Sequence, residues 1–160
     1  MKEIKVIGIG NLIMQDDGLG VHIIKELEAQ GVPENVELID GGTHSYDLLE
    51  FLADADYAII VDAMHTGGEP GTIYRAPLDE LGIKPQENMT SLHELHFVEA
   101  VEMARLLGYH PEILVFGVEP KEVGLGLELT PEVAARVPRV AQLIQEEIKR
   151  IALETEPETR

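Results

Sequence analysis

The stretch VIGIGNLIMQDDGLGVHII, residues 6–24, combines a short apolar run, a glycine-rich turn and the start of an apolar pattern with helical spacing. A strand that ends in glycine and leads into a helix is the layout of a nucleotide-binding loop. Here, however, Asp16 and Asp17 lie where such a loop needs backbone amides and no negative charge. The stretch therefore predicts the first strand and helix of an α/β fold, joined by an acidic loop.

Strand and helix patterns alternate along the rest of the chain. Apolar runs typical of strands occupy residues 4–10, 36–40, 57–64, 71–77 and 112–120. Helical periodicity occupies residues 18–31, 45–54, 92–108 and 130–154, and we expect Pro138 to kink the last helix. The alternation predicts one α/β domain over residues 1–154, followed by a frayed tail at 155–160.

The predicted sheet has five strands, is mostly parallel and carries helices on both faces. Its fourth strand, at 71–77, follows the third too closely for a crossover helix. We therefore expect the fourth strand to run antiparallel to the third.

Composition excludes several classes of function. The chain has 160 residues and a formal net charge of −18, which argues against a nucleic-acid partner because such partners are bound through Lys and Arg. It has no cysteine, which excludes disulfides, thiolate metal sites and cysteine nucleophiles. No apolar run reaches the roughly 18 residues of a membrane span, and the N-terminus has no signal-peptide layout. We expect a cytoplasmic protein without a membrane partner.

Candidate functional residues cluster after the predicted strands, because ligands of open α/β sheets bind beyond the carboxyl ends of parallel strands. A further candidate, His93, lies at the start of a predicted helix. The strand-end candidates, in chain order, are Gly10, Asn11, Asp16, Asp17, Asp40, Gly41, Gly42, Thr43, Asp62, His65 and Glu119.

Structural explanations exist for some of these acids. Asp16 and Asp17 could stabilise a helix N-terminus through its dipole, and Asp40 could have no role beyond forming a turn. Asp62 is harder to explain in this way, because it follows a buried apolar run and a buried aspartate needs a partner. No nucleotide is expected, since the dinucleotide fingerprint would need glycine where Ile13 stands.

Two carboxylates and an imidazole from separate elements suggest two kinds of chemistry. Together they could form a metal site with open positions, suited to zinc, nickel, iron or manganese. Without a metal, two carboxylates could hold one proton between them for acid–base hydrolysis. The spacing in the sequence leaves both open.

Six motifs in order give the chain a resemblance to a known family: GIGNLIMQDDGLG, DGGTHSYDLL, IIVDAM, TSLHELH, FGVEP and GLGLELTPEV. The chain resembles the hydrogenase maturation proteases, endopeptidases specific for the large subunit of nickel–iron hydrogenases. The resemblance implies a compact α/β/α fold with a five-stranded twisted sheet. It also implies removal of a short C-terminal extension from the large-subunit precursor after nickel insertion.

The resemblance further implies roles for individual residues. Asp17, Asp62 and His93 would be the catalytic residues and would contact the nickel carried by the substrate, for which zinc or cadmium could act as surrogates. Residues 40–43, namely Asp40, Gly41, Gly42 and Thr43, resemble the substrate-recognition loop. Many members carry a glycine where HSYDL follows in this chain, so the resemblance does not identify the hydrogenase that is cut.

Two further hypotheses compete with the protease. A non-catalytic metal-binding or chaperone module for hydrogenase assembly could use the same three residues, and a nucleotide-binding module is the third hypothesis. For the protease, a water would attack the peptide carbonyl. The metal could then act as Lewis acid or a carboxylate as general base, and the sequence leaves both roles open.

Overall fold

The computed structural model describes residues 2–42, 45–80 and 92–155, with the backbone alone described at 45–47, 92–98 and 155. Its strands are β1 (Ile4–Ile9), β2 (Val36–Gly42), β3 (Tyr57–Ala63), β4 (Ile73–Pro77) and β5 (Glu112–Val118). Its helices are α1 (Leu19–Gln30), α2 (Ser45–Ala53), α3 (Leu92–Leu106), α4 (Pro131–Ala134) and α5 (Val137–Thr155). Short 3-10 turns lie at Gln15–Gly18 and Leu78–Glu80.

The five strands form one sheet in the order β2-β1-β3-β5-β4. The pairs β1–β2, β1–β3 and β3–β5 are parallel, whereas β4 pairs with β5 in the antiparallel sense. The predicted direction of the fourth strand is confirmed. It pairs with β5 rather than forming a hairpin with β3, because the connecting loop crosses the end of β5, where Met64 N donates to Val118 O at 3.0 Å.

Helices cover both faces of the sheet, which confirms the predicted α/β/α arrangement. On one face, α1 and α5 bury Val6, Ile59 and Phe116, while α2 and α3 cover Ile7 and Ile60 on the other. Alternate residues of each strand therefore enter different core layers, so both faces of the central strands are apolar.

Two glycines of the stretch at 6–24 allow α1 to approach the sheet closely. A Cβ on Gly8 would lie 2.3 Å from the carbonyl oxygen of Gly20, and one on Gly20 would lie 2.4 Å from that of Val61. A side chain at either position would separate the first turn of α1 from β1 and β3. These glycines therefore serve the close packing of α1 on the sheet.

The prediction of one kinked helix over 130–154 is wrong, because the segment forms α4 and α5 as separate helices. Pro138 is the second residue of α5, in the first turn where proline costs no hydrogen bond. Helix α5 ends at Thr155, and residues 156–160 of the predicted tail lie outside the described residues. In the part of the chain that the structure describes, no helix is long and apolar enough to cross a bilayer.

Candidate active site at the carboxyl edge of the sheet

The loops after β1 and β3 meet at the carboxyl edge of the sheet. The two strands are parallel neighbours, about 4.8 Å apart in an ordinary sheet. The 3-10 turn Gln15–Gly18, which contains Asp17, contacts β3, whose second-last residue is Asp62. The fold thus places both predicted acids at one edge.

The backbone of the first loop holds Asp17 in place. Asn11 N donates a hydrogen bond to Oδ2 of the half-buried Asp17 at 3.1 Å. Gly10 has a φ of +135°, and a Cβ there would lie 1.9 Å from the carbonyl oxygen of Asp17. Only glycine at position 10 lets the loop fold back this tightly, so Gly10 positions the Asp17 carboxylate.

Asp62 is buried at the end of β3, with 8% of its surface exposed. Its Oδ1 accepts a hydrogen bond from the backbone N–H of Ala63 at 2.8 Å. It shares a strand face with Ala58 and Ile60, which pack in the layer of α2 and α3. The carboxylate therefore belongs to the side of the sheet on which α3 lies.

His93 is the second residue of α3. The end of α3, Leu106, is followed closely by β5, so that end lies at the amino edge of the parallel strands. A helix of 15 residues spans about 22 Å, nearly the length of a seven-residue strand. The first turn of α3 is therefore expected at the carboxyl edge, level with Asp62.

Beyond its backbone position, His93 lies outside what the structure describes. The described side chains, which do not include that of His93, contain no group of three His, Asp or Glu that could hold a metal ion. The roles of Asp17, Asp62 and His93 in catalysis and metal contact therefore stay predictions, and the structure brings Asp17 and Asp62 to the same edge of the sheet.

Asp16, the neighbour of Asp17, is a structural residue. Its fully buried carboxylate accepts hydrogen bonds from Lys121 N at 2.8 Å, Glu122 N at 3.0 Å, Thr130 N at 2.8 Å and Thr130 Oγ1 at 2.7 Å. Burial raises the pKa of Asp16, but these hydrogen bonds outweigh it and bring the pKa below its ordinary value. Asp16 thus clamps the segment 121–130 to the loop that carries Asp17.

Thr130 shows why the clamp was not visible in the sequence. It is the N-cap residue of α4, just before Pro131, yet its side chain makes no capping hydrogen bond. The hydroxyl donates to Asp16 instead. A Thr-Pro pair indicates a helix start, whereas a contact across 114 residues leaves no local pattern.

The loop after β2 is held beside the Asp17 loop. Asp40 Oδ1 accepts from Gly42 N at 3.0 Å, and Gly42 O accepts from Gly10 N at 3.0 Å. The register between β1 and β2 shifts here, so that Gly41 is an extra residue in β2. Asp40 therefore forms a turn, as its structural explanation required, and Thr43 lies outside the described residues. Substrate binding by residues 40–43 stays a prediction.

Glu119, another candidate at this edge, anchors the loop after β3. Its Oε1 accepts hydrogen bonds from Thr66 N at 2.9 Å, Thr66 Oγ1 at 2.7 Å, Gly68 N at 3.1 Å and Tyr74 OH at 2.8 Å. Burial raises the pKa of Glu119, but these hydrogen bonds outweigh it and bring the pKa below its ordinary value. His65 in the same loop is exposed. Sequence analysis missed the roles of Thr66 and Tyr74, for which no spacing rule exists.

Comparisons of the sequence and of the structure with known proteins point to the same family. A family model described as hydrogenase maturation protease matches residues 21–147, a range that includes Asp62 and His93 and begins after Asp17. The hydrogenase expression/formation protein HupD of Thiocapsa roseopersicina is 37% identical over 138 residues, which are 84% of this chain and 62% of that protein. HupD of Rhodobacter capsulatus is 34% identical, with 91% of this chain and 71% of that protein covered.

Solved structures agree with these relatives. The hydrogenase maturating endopeptidase HybD from Escherichia coli superposes with a TM-score of 0.85 at 31% identity, covering 94% of this chain and 93% of that one. The nickel–iron hydrogenase maturation protease HycI from Thermococcus kodakarensis gives a TM-score of 0.77 at 27% identity, covering 92% and 93%. The family match spans most of the sequence, and the fold agrees along nearly its whole length. This chain belongs to the hydrogenase maturation protease family.

Proposed function

We propose that this chain is the endopeptidase that removes the C-terminal extension from the large-subunit precursor of a nickel–iron hydrogenase, after nickel has been inserted. As a member of the hydrogenase maturation protease family, the chain is a peptidase. The proposal adds the precursor as substrate, its nickel as the recognised metal, and the roles of individual residues. It also places the reaction in the cytoplasm, which fractionation of cells can check.

The observation that carries the proposal is that Asp17 and Asp62 lie at one edge of the sheet. Asp17 follows β1, Asp62 is the second-last residue of the neighbouring β3, and α3, which carries His93 as its second residue, lies on the Asp62 side of the sheet. Two carboxylates and an imidazole are ligands that suit nickel, with zinc or cadmium as surrogates. The chain has no cysteine, so it offers no thiolate to compete for that metal.

In this proposal the nickel belongs to the substrate and serves as its recognition feature. Asp17, fixed by Asn11 N and by the turn at Gly10, offers a carboxylate to the cation. Asp62 offers a second carboxylate from the buried end of β3. The two negative charges favour a cation between them and disfavour a precursor without one.

Cleavage then requires a water molecule to attack the peptide carbonyl next to the docked metal. Either a carboxylate of the site acts as general base for that water, or the metal polarises the carbonyl as Lewis acid. In either case, the three residues set the position of the scissile bond relative to the metal. The segment from Asp40 to Thr43 would bind the precursor alongside, beside the Asp17 loop.

A mass measurement tests the proposal against its alternative. After incubation with a nickel-loaded precursor, the mass of the precursor should fall by that of its C-terminal extension. A non-catalytic metal-binding or chaperone module would leave the mass unchanged, and family membership does not favour that alternative. Asp62→Asn, which removes the charge with little change in shape, is the matched control and should leave the precursor uncut.

A further inference from the structure

Four large apolar side chains are exposed together next to the Asp17 loop. Ile13 is 50% exposed, Val123 37%, Leu125 82% and Leu127 64%. We call this group of four residues the apolar lip. Single exposed apolar residues are normal on a protein surface, whereas a contiguous group indicates a contact surface.

The local backbone explains why the lip faces outward. Gln15 N donates to Gly126 O at 2.9 Å, and Gly126 N donates to Ile13 O at 2.9 Å, so the segment 123–127 lies against the Asp17 loop. A Cβ on Gly126 would lie 3.0 Å from Cγ of Gln15, so the side with glycine faces that loop. Leu125 and Leu127, on either side of Gly126, are 82% and 64% exposed and are therefore directed away from the protein.

The lip is also fixed relative to the active-site acid. Asp16 binds the backbone at Lys121, Glu122 and Thr130, on both sides of the lip segment. The same residue precedes Asp17 in the chain. A protein that presents a peptide bond to Asp17 would thus meet a preformed apolar surface beside it, and little ordering would be needed on binding.

The charge around the lip restricts what can cover it. Glu122 and Glu128 are exposed beside the leucines, and the whole chain carries a formal net charge of −18. A second copy of this chain would bring equal negative charge to the same surface, which opposes association. An apolar segment bordered by Lys or Arg satisfies both the leucines and the glutamates.

We propose that the apolar lip is a docking surface for the protein substrate, and that it binds an apolar segment flanked by basic side chains. This proposal rests on the proposed function, since it assigns the lip to the substrate cut at Asp17 and Asp62. It concerns affinity rather than the chemical step. It makes recognition depend on a surface outside the predicted loop at residues 40–43.

The test compares two double variants on one nickel-loaded precursor that the wild-type chain cuts. Leu125→Ser combined with Leu127→Ser should raise KM at least tenfold, with kcat within about twofold of wild type. The matched control combines Leu106→Ser and Leu153→Ser. Those two leucines are 87% and 73% exposed at the ends of α3 and α5. The control should leave both constants unchanged.

A third double variant tests whether the segment bound at the apolar lip is flanked by basic side chains. Glu122→Gln combined with Glu128→Gln should raise KM several-fold at low salt and little at high salt. The two glutamates attract basic side chains of the substrate, and salt screens that attraction. An unchanged KM in the leucine variant, or an equal change in the control, overturns the docking proposal. A wild-type dimer in sedimentation that the leucine variant abolishes also overturns it, by assigning the lip to a second copy. If the wild type cuts no loaded precursor, the proposed function itself fails, whatever the lip does.

Discussion

The same substitution should affect stability at Asp16 and activity at its neighbour Asp17. In Asp16→Asn, the single amide oxygen can take the place of Oδ2 and keep its three hydrogen bonds. The amide NH2 then takes the place of Oδ1 and cannot accept the hydrogen bond from Thr130 N. The lost hydrogen bond leaves a buried N–H unpaired, which costs about 1 kcal/mol or more. Each of the three remaining hydrogen bonds now ends on a neutral oxygen and is weaker by about 1 kcal/mol. The free energy of unfolding should fall by about 4 kcal/mol, and Tm by roughly 8–16 °C.

Thermal unfolding followed by circular dichroism measures this directly. Thr130→Val removes a single donor and should lower Tm by about 3–6 °C. Asp17→Asn should change Tm much less, because Asp17 is half-buried whereas Asp16 is fully buried, and should instead abolish processing of a loaded precursor. A native Tm for Asp16→Asn would refute the clamp. A large Tm loss for Asp17→Asn would refute the division of roles.

The clamp also predicts a pH dependence. Because the pKa of Asp16 is lowered in the folded chain, the unfolded chain binds the proton more readily. The stability from Asp16 is therefore fully present above the ordinary pKa of 3.8 and is lost as pH falls through the lower folded value. The Tm difference between wild type and Asp16→Asn should shrink below about pH 4. A difference that stays constant down to pH 2 would contradict this linkage.

Three further predictions concern the rest of the site. Asp62→Asn should abolish processing while circular dichroism stays native, and normal processing would remove Asp62 from the mechanism. Gly10→Ala should slow processing at least tenfold, because its Cβ would displace the carbonyl of Asp17; an unchanged rate would show that the loop adapts. The isolated chain should bind nickel, zinc or cadmium weakly, and less at low pH, by titration calorimetry. Affinity and pH dependence that survive alanine at Asp17, Asp62 and His93 together would place the metal elsewhere.

The fold was largely predictable from the sequence because its signals are local. Runs such as YAIIVDA indicate a strand buried on both faces, and a connection too short for a helix sets the direction of β4. The position of β4 beside β5 was not predictable, since the contacts around the connecting loop, such as those of Glu119 with Thr66 and Tyr74, join residues far apart in the sequence. Contacts between distant residues leave no periodicity to detect.

The candidate site likewise has features that could be predicted from the sequence and features that could not. The edge at which Asp17 and Asp62 lie follows from the parallel sheet that the alternation of strands and helices predicts. The different fates of Asp16 and Asp17 do not follow, because adjacent identical residues give the same pattern. The distinction appears only when the 121–130 segment folds over Asp16 and makes it a buried acceptor. The lip on that segment was equally hidden, because leucines in GLGLEL suggest core rather than surface.

The most direct test of the central claim is a time course of precursor mass with and without nickel, for the wild type and Asp17→Ala. A lost ligand contact of about 3 kcal/mol corresponds to more than a hundredfold in rate. The wild type should therefore cut the loaded precursor at least a hundred times faster than the empty one. Asp17→Ala should lose most of the fast rate and keep the slow background. Equal rates on loaded and empty precursor would contradict recognition of the metal and leave a protease that reads sequence alone.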